Sequence, residues 1–264
     1  MNRILALLLV ILTFGSCTSK FQQVLKNKDT DIKVKMAEKY FQEKKYSNAQ
    51  QLFESVIQFV KGTPRYEQIY LMYANSYYYD KDYENAENLF KTFVEYFPNS
   101  TKSEEVQFMR ANTYYKRSPK AELDQTTTNK AIQLMQAFID AHPTSTRVKD
   151  ATEVIDACRA KLESKDYKTA TLYFDLALYR AAAVSYGLLS DGYPDSKSAD
   201  KYKLLTLKSY YKFAENSFAE KQKERFGKVV EEYNDFVDRY SDSPLLGEAK
   251  KIKKQTDNSL NIKK

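Results

Sequence analysis

One spacing of small and aromatic residues recurs along the chain and restricts it to a repeat architecture. Ala74 is followed by Tyr77, Ala86, Phe90, Phe93 and Pro98, and the same intervals lead from Ala170 through Tyr173, Ala182, Tyr186 and Leu189 to Pro194. Another copy starts at Ala37 with Tyr40, Ala49, Phe53 and Val56, and only its proline, Pro64, arrives late. A fourth opens on Ala111 and Tyr114 and resumes after a longer loop, residues 118–129, with Ala131, Met135, Phe138 and Pro143. A degraded fifth keeps Val229, Tyr233 and Phe236, with Ser241 in the proline slot, after a helix expected near residues 201–218. Self-similarity of this kind marks stacked units, none of which can bury its apolar face alone.

The intervals have a helical meaning. An alanine and a tyrosine three residues apart share one helix face, and the second alanine with the apolar residues four and seven positions on share a face of the next helix. A small residue on each helix lets the pair approach while the rings fill the flanks, which predicts antiparallel helix hairpins. Tyr46, Tyr83 and Tyr179 are placed to cover the turns. Proline ends each second helix, and Ser100, Ser145 and Ser196, two residues later, are expected to cap the helix that follows. A competing turn at residues 165–170 would put Ala182 in the proline slot, so residues 147–176 read instead as one long helix closing one hairpin and opening the next. With only 6 Gly and 6 Pro, the chain has little to build anything but helices from. The pattern resembles the tetratricopeptide repeat, over about residues 31–243. The expected fold class is all-α, a right-handed superhelix of about five tetratricopeptide-like hairpins.

Nothing in the sequence assembles a catalytic or metal centre. The one histidine, His142, precedes Pro143 where the neighbouring repeats carry Phe97 and Tyr193, so it reads as a helix-end residue. There is no phosphate-binding glycine loop, no HExxH and no CxxC. The net charge of +7 is mild and alternates in sign along the chain, which disfavours a nucleic-acid partner. These features lead to the expectation of a non-enzymatic binding protein with no cofactor.

The N-terminus sets the expected compartment. Arg3 precedes an apolar run at residues 4–14 in which only Thr13 is polar, and Gly15-Ser16-Cys17 follows. At about 1.5 Å per residue the run covers roughly half of a ~30 Å hydrocarbon core, too little to span and suitable for export. Small residues before a cysteine resemble the lipobox of bacterial lipoproteins, with Phe14 where leucine is more usual. That resemblance makes residues 1–16 a signal peptide and Cys17 the first mature residue, carrying covalent lipid and anchoring the chain to a membrane. The competing reading is a soluble exported protein with an incidental cysteine. Cys158, among Val154, Ile155 and Leu162, reads as a buried small hydrophobe. The expected layout is a lipidated linker at 17–30, the repeat domain at 31–253 and a flexible tail at 254–264.

A lipobox, about five repeats, the loop from Ser118 to Ala131, the stretch Phe138-Ile139-Asp140-Ala141-His142-Pro143-Thr144-Ser145, and Tyr179-Arg180-Ala181-Ala182-Ala183 with Tyr193-Pro194-Asp195-Ser196 together resemble the BamD family, lipoproteins of the outer-membrane β-barrel assembly machine. The absence of glycine around Asp175-Leu176-Ala177-Leu178 departs from the usual repeat turn. The resemblance implies a periplasm-facing scaffold on the outer membrane, whose partners are the machine's β-barrel subunit at the C-terminal repeats and unfolded outer-membrane protein precursors at the N-terminal ones. Another periplasmic repeat lipoprotein, scaffolding cell-wall or polysaccharide complexes, is the alternative. In such repeats the first helices line a concave surface, which here implies a peptide-binding set of Phe41, Gln68, Leu71, Asn75, Tyr78, Tyr79, Phe108, Asn112 and Tyr115. In the second and third repeats an amide follows the first-helix alanine directly and an aromatic stands three residues further on. That pairing suits an extended peptide, the amide bonding its backbone and the rings holding its side chains.

Overall fold

The structure, a computed structural model, describes residues 20–261. Among the described residues it has twelve helices and no strand: α1 Lys20–Leu25, α2 Thr30–Gln42, α3 Tyr46–Val60, α4 Tyr66–Tyr79, α5 Tyr83–Tyr96, α6 Ser103–Arg117, α7 Thr126–Ala141, α8 Val148–Asp175, α9 Tyr179–Gly192, α10 Ala199–Glu215, α11 Ala219–Arg239 and α12 Leu246–Asn261. Two compact units divide the chain, residues 1–119 with 125–158, and residues 120–124 with 159–264. The long helix α8 belongs to both, its first eleven residues to the former unit and the rest to the latter.

The repeat spacing is the core. Ala37, Ala49, Ala74, Ala86, Ala111, Ala131, Ala170 and Ala182 are all fully buried, as are Phe53, Phe90, Phe93 and Met135. The degraded fifth copy keeps the same positions sealed, with Val229 and Phe236 at zero exposure. Burying a Phe or Leu side chain is worth about 1.5–3 kcal/mol, so these repeated positions carry much of the drive to fold. The helix expected at 147–176 forms as Val148–Asp175 and runs unbroken across the competing turn, as the position of Ala182 requires.

Tight turns join the hairpins by one recurring geometry. Lys44, Lys81 and Ala177 adopt φ values of 58°, 67° and 58°. In each turn the next residue's N–H donates back to the first-helix tyrosine carbonyl: Lys45 to Tyr40 at 2.8 Å, Asp82 to Tyr77 at 3.0 Å and Leu178 to Tyr173 at 2.9 Å. This is the left-handed helix ending that glycine usually supplies. None of the three turns contains glycine, and the one at 175–178 closes like the other two. Tyr46 stacks on Tyr79 and meets Phe41 edge-on, Tyr83 meets Tyr78, and Tyr179 meets Phe174, so these three tyrosines cover the turns.

The post-proline serines do something other than cap the next helix. Helices α6, α8 and α10 begin three residues after Ser100, Ser145 and Ser196, too late for a cap. Each hydroxyl instead accepts the N–H two residues on and donates to a glutamate of its own repeat's first helix: Ser100 to Glu67 at 2.6 Å, Ser145 to Glu104 and Ser196 to Glu163. Ser243 makes the same pair with Asp200 at 2.7 Å. The hydroxyl thus clasps the far end of each hairpin shut.

Both ends of the expected layout are helical where linker and tail were anticipated. Phe21, Val24 and Leu25 of α1 pack against the first hairpin's core, with Phe21 edge-on to Tyr40 at 5.9 Å. Residues 254–261 continue α12, which buries Ala249, Ile252 and Thr256. A stripe at helical spacing forms in each case, short in α1 and disguised by a threonine in α12.

Candidate functional site

The residues expected to bind peptide all lie in the first unit, on α2, α4 and α6. Along α4, Gln68, Leu71, Asn75, Tyr78 and Tyr79 recur at three- and four-residue spacing and form one stripe. Gln68 is exposed, Leu71 and Asn75 are partly covered, and Tyr79 is 49% exposed. On α6, Asn112 and Tyr115 are partly covered as well.

Part of the set is spent on packing between repeats. Asn112 Nδ2 donates to the Tyr78 hydroxyl at 3.0 Å, which joins the stripes of α4 and α6. The Tyr78 ring packs against Tyr79, Tyr83 and Phe90, and burial pushes its phenol up to about 12. Phe41 is held edge-on between Tyr46 and Tyr79. Phe108 is not surface at all. It is 5% exposed, edge-on to Phe138 at 5.7 Å and covered by the Arg147 guanidinium at 4.8 Å. Arg147 is fixed there by both Glu105 oxygens, at 2.6 and 3.0 Å, and by Asp150 at 2.9 Å. The arginine lids the ring because the start of α8 follows α6 and α7 in the stack, a contact the spacing within one repeat does not reveal. Gln68, Leu71, Asn75, Tyr79 and Tyr115 remain accessible, with Tyr78 and Asn112 as their supporting floor.

A second surface escaped the sequence reading. In the second unit a groove of about 650 Å³ is lined by Tyr173, Leu178, Tyr179, Arg180, Val184 and Phe213. Leu178 and Val184 are 51% and 47% exposed. Arg180 is exposed and, among the described residues, forms no ion pair. The signal for it was present, since Leu178 and Val184 are apolar residues outside the buried spacing.

The residues weighed for chemistry sit in structural roles. His142 places Nε2 3.2 Å from Gln107 Oε1 and its ring against Phe138, and Cys158 is fully buried. Among the described residues no group of three or more His, Cys, Asp or Glu is arranged to hold a metal, and no helix is long and apolar enough to cross a membrane. Cys17 and residues 1–16 lie outside the described residues.

The model of the family described as YfiO, outer membrane lipoprotein, matches residues 28–225, well over half of the chain. No curated protein is similar enough in sequence to match. Among solved structures, the TPR2AB domain of yeast Sti1 in a complex with pHSP90 is 13% identical, with a TM-score of 0.39 over 86% of this chain and 98% of that one. Nearly identical TPR-like repeats from Podosopora anserina are 12% identical, with a TM-score of 0.34 over 80% of this chain and 95% of the other.

Proposed function

Because the chain belongs to the YfiO, or BamD-type, family of outer membrane lipoproteins, we propose that it is a non-catalytic scaffold of the β-barrel assembly machine. In this reading residues 1–16 direct export, Cys17 carries the lipid, and the repeats face the periplasm from the outer membrane. The first unit receives unfolded barrel precursors. The second docks the barrel subunit, for which the groove at Leu178 and Val184, with the unpaired Arg180 at its rim, offers an apolar contact edged by a positive charge. No cofactor is required beyond the covalent lipid.

The observation that carries the proposal is the accessible stripe Gln68, Leu71, Asn75 and Tyr79 on α4. Amides alternate there with an aliphatic and an aromatic side chain on one face, over a floor already ordered by the bond from Asn112 to Tyr78. A partner's backbone meets donors and acceptors that need no rearrangement, and its side chains meet rings that lose little entropy.

The test is a calorimetric titration with an aromatic-rich peptide taken from the C-terminal segment of a barrel precursor. Asn75→Ala with Tyr79→Ala is expected to weaken binding by at least ~2 kcal/mol, the scale of interface hot spots, with the helical signal unchanged. Tyr78 is left in place, since removing it would also strand Asn112. An unchanged dissociation constant in the folded double variant would remove this face from the proposal.

A further inference from the structure

The N-terminal hairpin carries a concentration of positive charge that neither the peptide-binding face nor the groove uses. Residues 20–45 hold eight lysines and four acids, an excess of four within a chain whose whole excess is seven. The acids are largely engaged. Asp29 caps α2 through the N–H groups of Asp31 and Ile32, Asp31 pairs with Arg65 at 2.9 Å, and Glu43 pairs with Lys45 at 2.7 Å and Lys39 at 3.8 Å. Lys20, Lys26, Lys28 and Lys35 are exposed and, among the described residues, form no ion pair.

Their position relative to the anchor matters more than their number. Only Thr18 and Ser19 separate Cys17 from Lys20, at most ~10 Å of extended chain. The six residues of α1 add only about 9 Å more. Nor does α1 act as a swinging tether, because Phe21, Val24 and Leu25 pack on the hairpin. A lipid on Cys17 therefore holds the hairpin itself close to the bilayer, and with it lysines whose field reaches about a Debye length of 8–10 Å. Basic residues at such a distance from anionic headgroups contribute roughly 1 kcal/mol each, about fivefold in partitioning.

We infer that the α1–α2 segment, through Lys20, Lys26, Lys28 and Lys35, binds an anionic phospholipid surface and so fixes which face of the first hairpin lies against the membrane. The inference rests on the proposed attachment of lipid at Cys17 for its geometry, and its charge component can be measured without the lipid.

Residues 17–264 carrying Cys17→Ala are floated with phosphatidylethanolamine vesicles made with or without phosphatidylglycerol. The expected result is binding only where phosphatidylglycerol is present, falling as salt is raised. Replacing Lys20, Lys26, Lys28 and Lys35 by Gln should lower that binding at least roughly tenfold, and by up to roughly 600-fold if each of the four contributes its full fivefold. The triple variant Lys250→Gln, Lys251→Gln, Lys254→Gln on α12 should bind as the parent does. Equal binding to both vesicle types, an unaffected quadruple variant, or an equal loss in the α12 variant would each overturn the inference. Helical signal, measured on every variant, guards against unfolding. Mass analysis of Cys17 in the unsubstituted protein tests lipid attachment independently, so failure there is distinguishable from failure of the charged surface.

Discussion

Lys44, Lys81 and Ala177 stand in the left-handed region, where a Cβ crowds the following carbonyl at a cost of about 1–2 kcal/mol. The strain persists because the turns are over-determined by the backbone bonds to Tyr40, Tyr77 and Tyr173 and by the tyrosines covering them. Lys81→Gly is therefore expected to stabilise the chain by up to about 1 kcal/mol, the relief of strain exceeding the added freedom of the unfolded chain. A rise in the thermal midpoint checks it; a fall would mean that the lysine stem contributes more than its backbone costs. Buried phenols give a second consequence at this scale. Burial pushes Tyr70 and Tyr202 up to about 12 from an ordinary value of 10.0, so the fold favours their neutral form. Their contribution to stability is complete below pH 10 and is lost as pH rises through about 12. Phenolate absorbance should lag below that of the unfolded chain and then rise together with loss of helical signal. A smooth titration of all 22 tyrosines around the ordinary value would contradict this.

Among the elements, the serine-to-carboxylate clasp is the feature with the clearest energetic test. Ser100 and Glu67 join the end of α5 to the start of α4, and a hydrogen bond to a charged acceptor at a part-buried site is worth about 1.5 kcal/mol or more. In a double-mutant cycle of Ser100→Ala and Glu67→Gln, a coupling of roughly 1 kcal/mol is expected, and none would show that the contact carries no stability. The clasp also shows where sequence reading stops. The alanine and aromatic positions were legible because their spacing encodes contacts inside one hairpin, and α8 was legible because the alternative misplaced Ala182. The position of the serines marks them as important, yet the partner of Ser100, Glu67, lies 33 residues away and that of Ser145, Glu104, 41 residues away, and only the folded hairpin brings each pair together. Phe108 reads as outward-facing for the same reason: its cover, Arg147, comes from the end of the loop that leads into α8, beyond α7. Helix α12 was hidden because its buried stripe includes Thr256, whose hydroxyl satisfies itself on the Ile252 carbonyl at 2.9 Å and so can be buried among apolar neighbours.

For the molecule as a whole, two surfaces on two units define what the chain can do. The first unit presents amides and rings on α4, and the second an apolar groove beside Arg180. Of these the first was legible as a stripe on one helix, though not which of its members the packing consumes. The groove was not, because it is assembled from a turn, α9 and Phe213 of α10. In the proposed scaffold the two surfaces would divide the labour, and the partner at the groove is the part of the proposal most open to direct measurement. The most direct measurement is affinity purification of the full-length protein from detergent-solubilised envelopes, with quantitative mass spectrometry of parent and Val184→Glu variant side by side. Near-stoichiometric recovery of the β-barrel assembly subunit is expected with the parent and its loss with the variant, while the chain stays folded and in the membrane fraction. Recovery of cell-wall or polysaccharide enzymes in place of that subunit would contradict it.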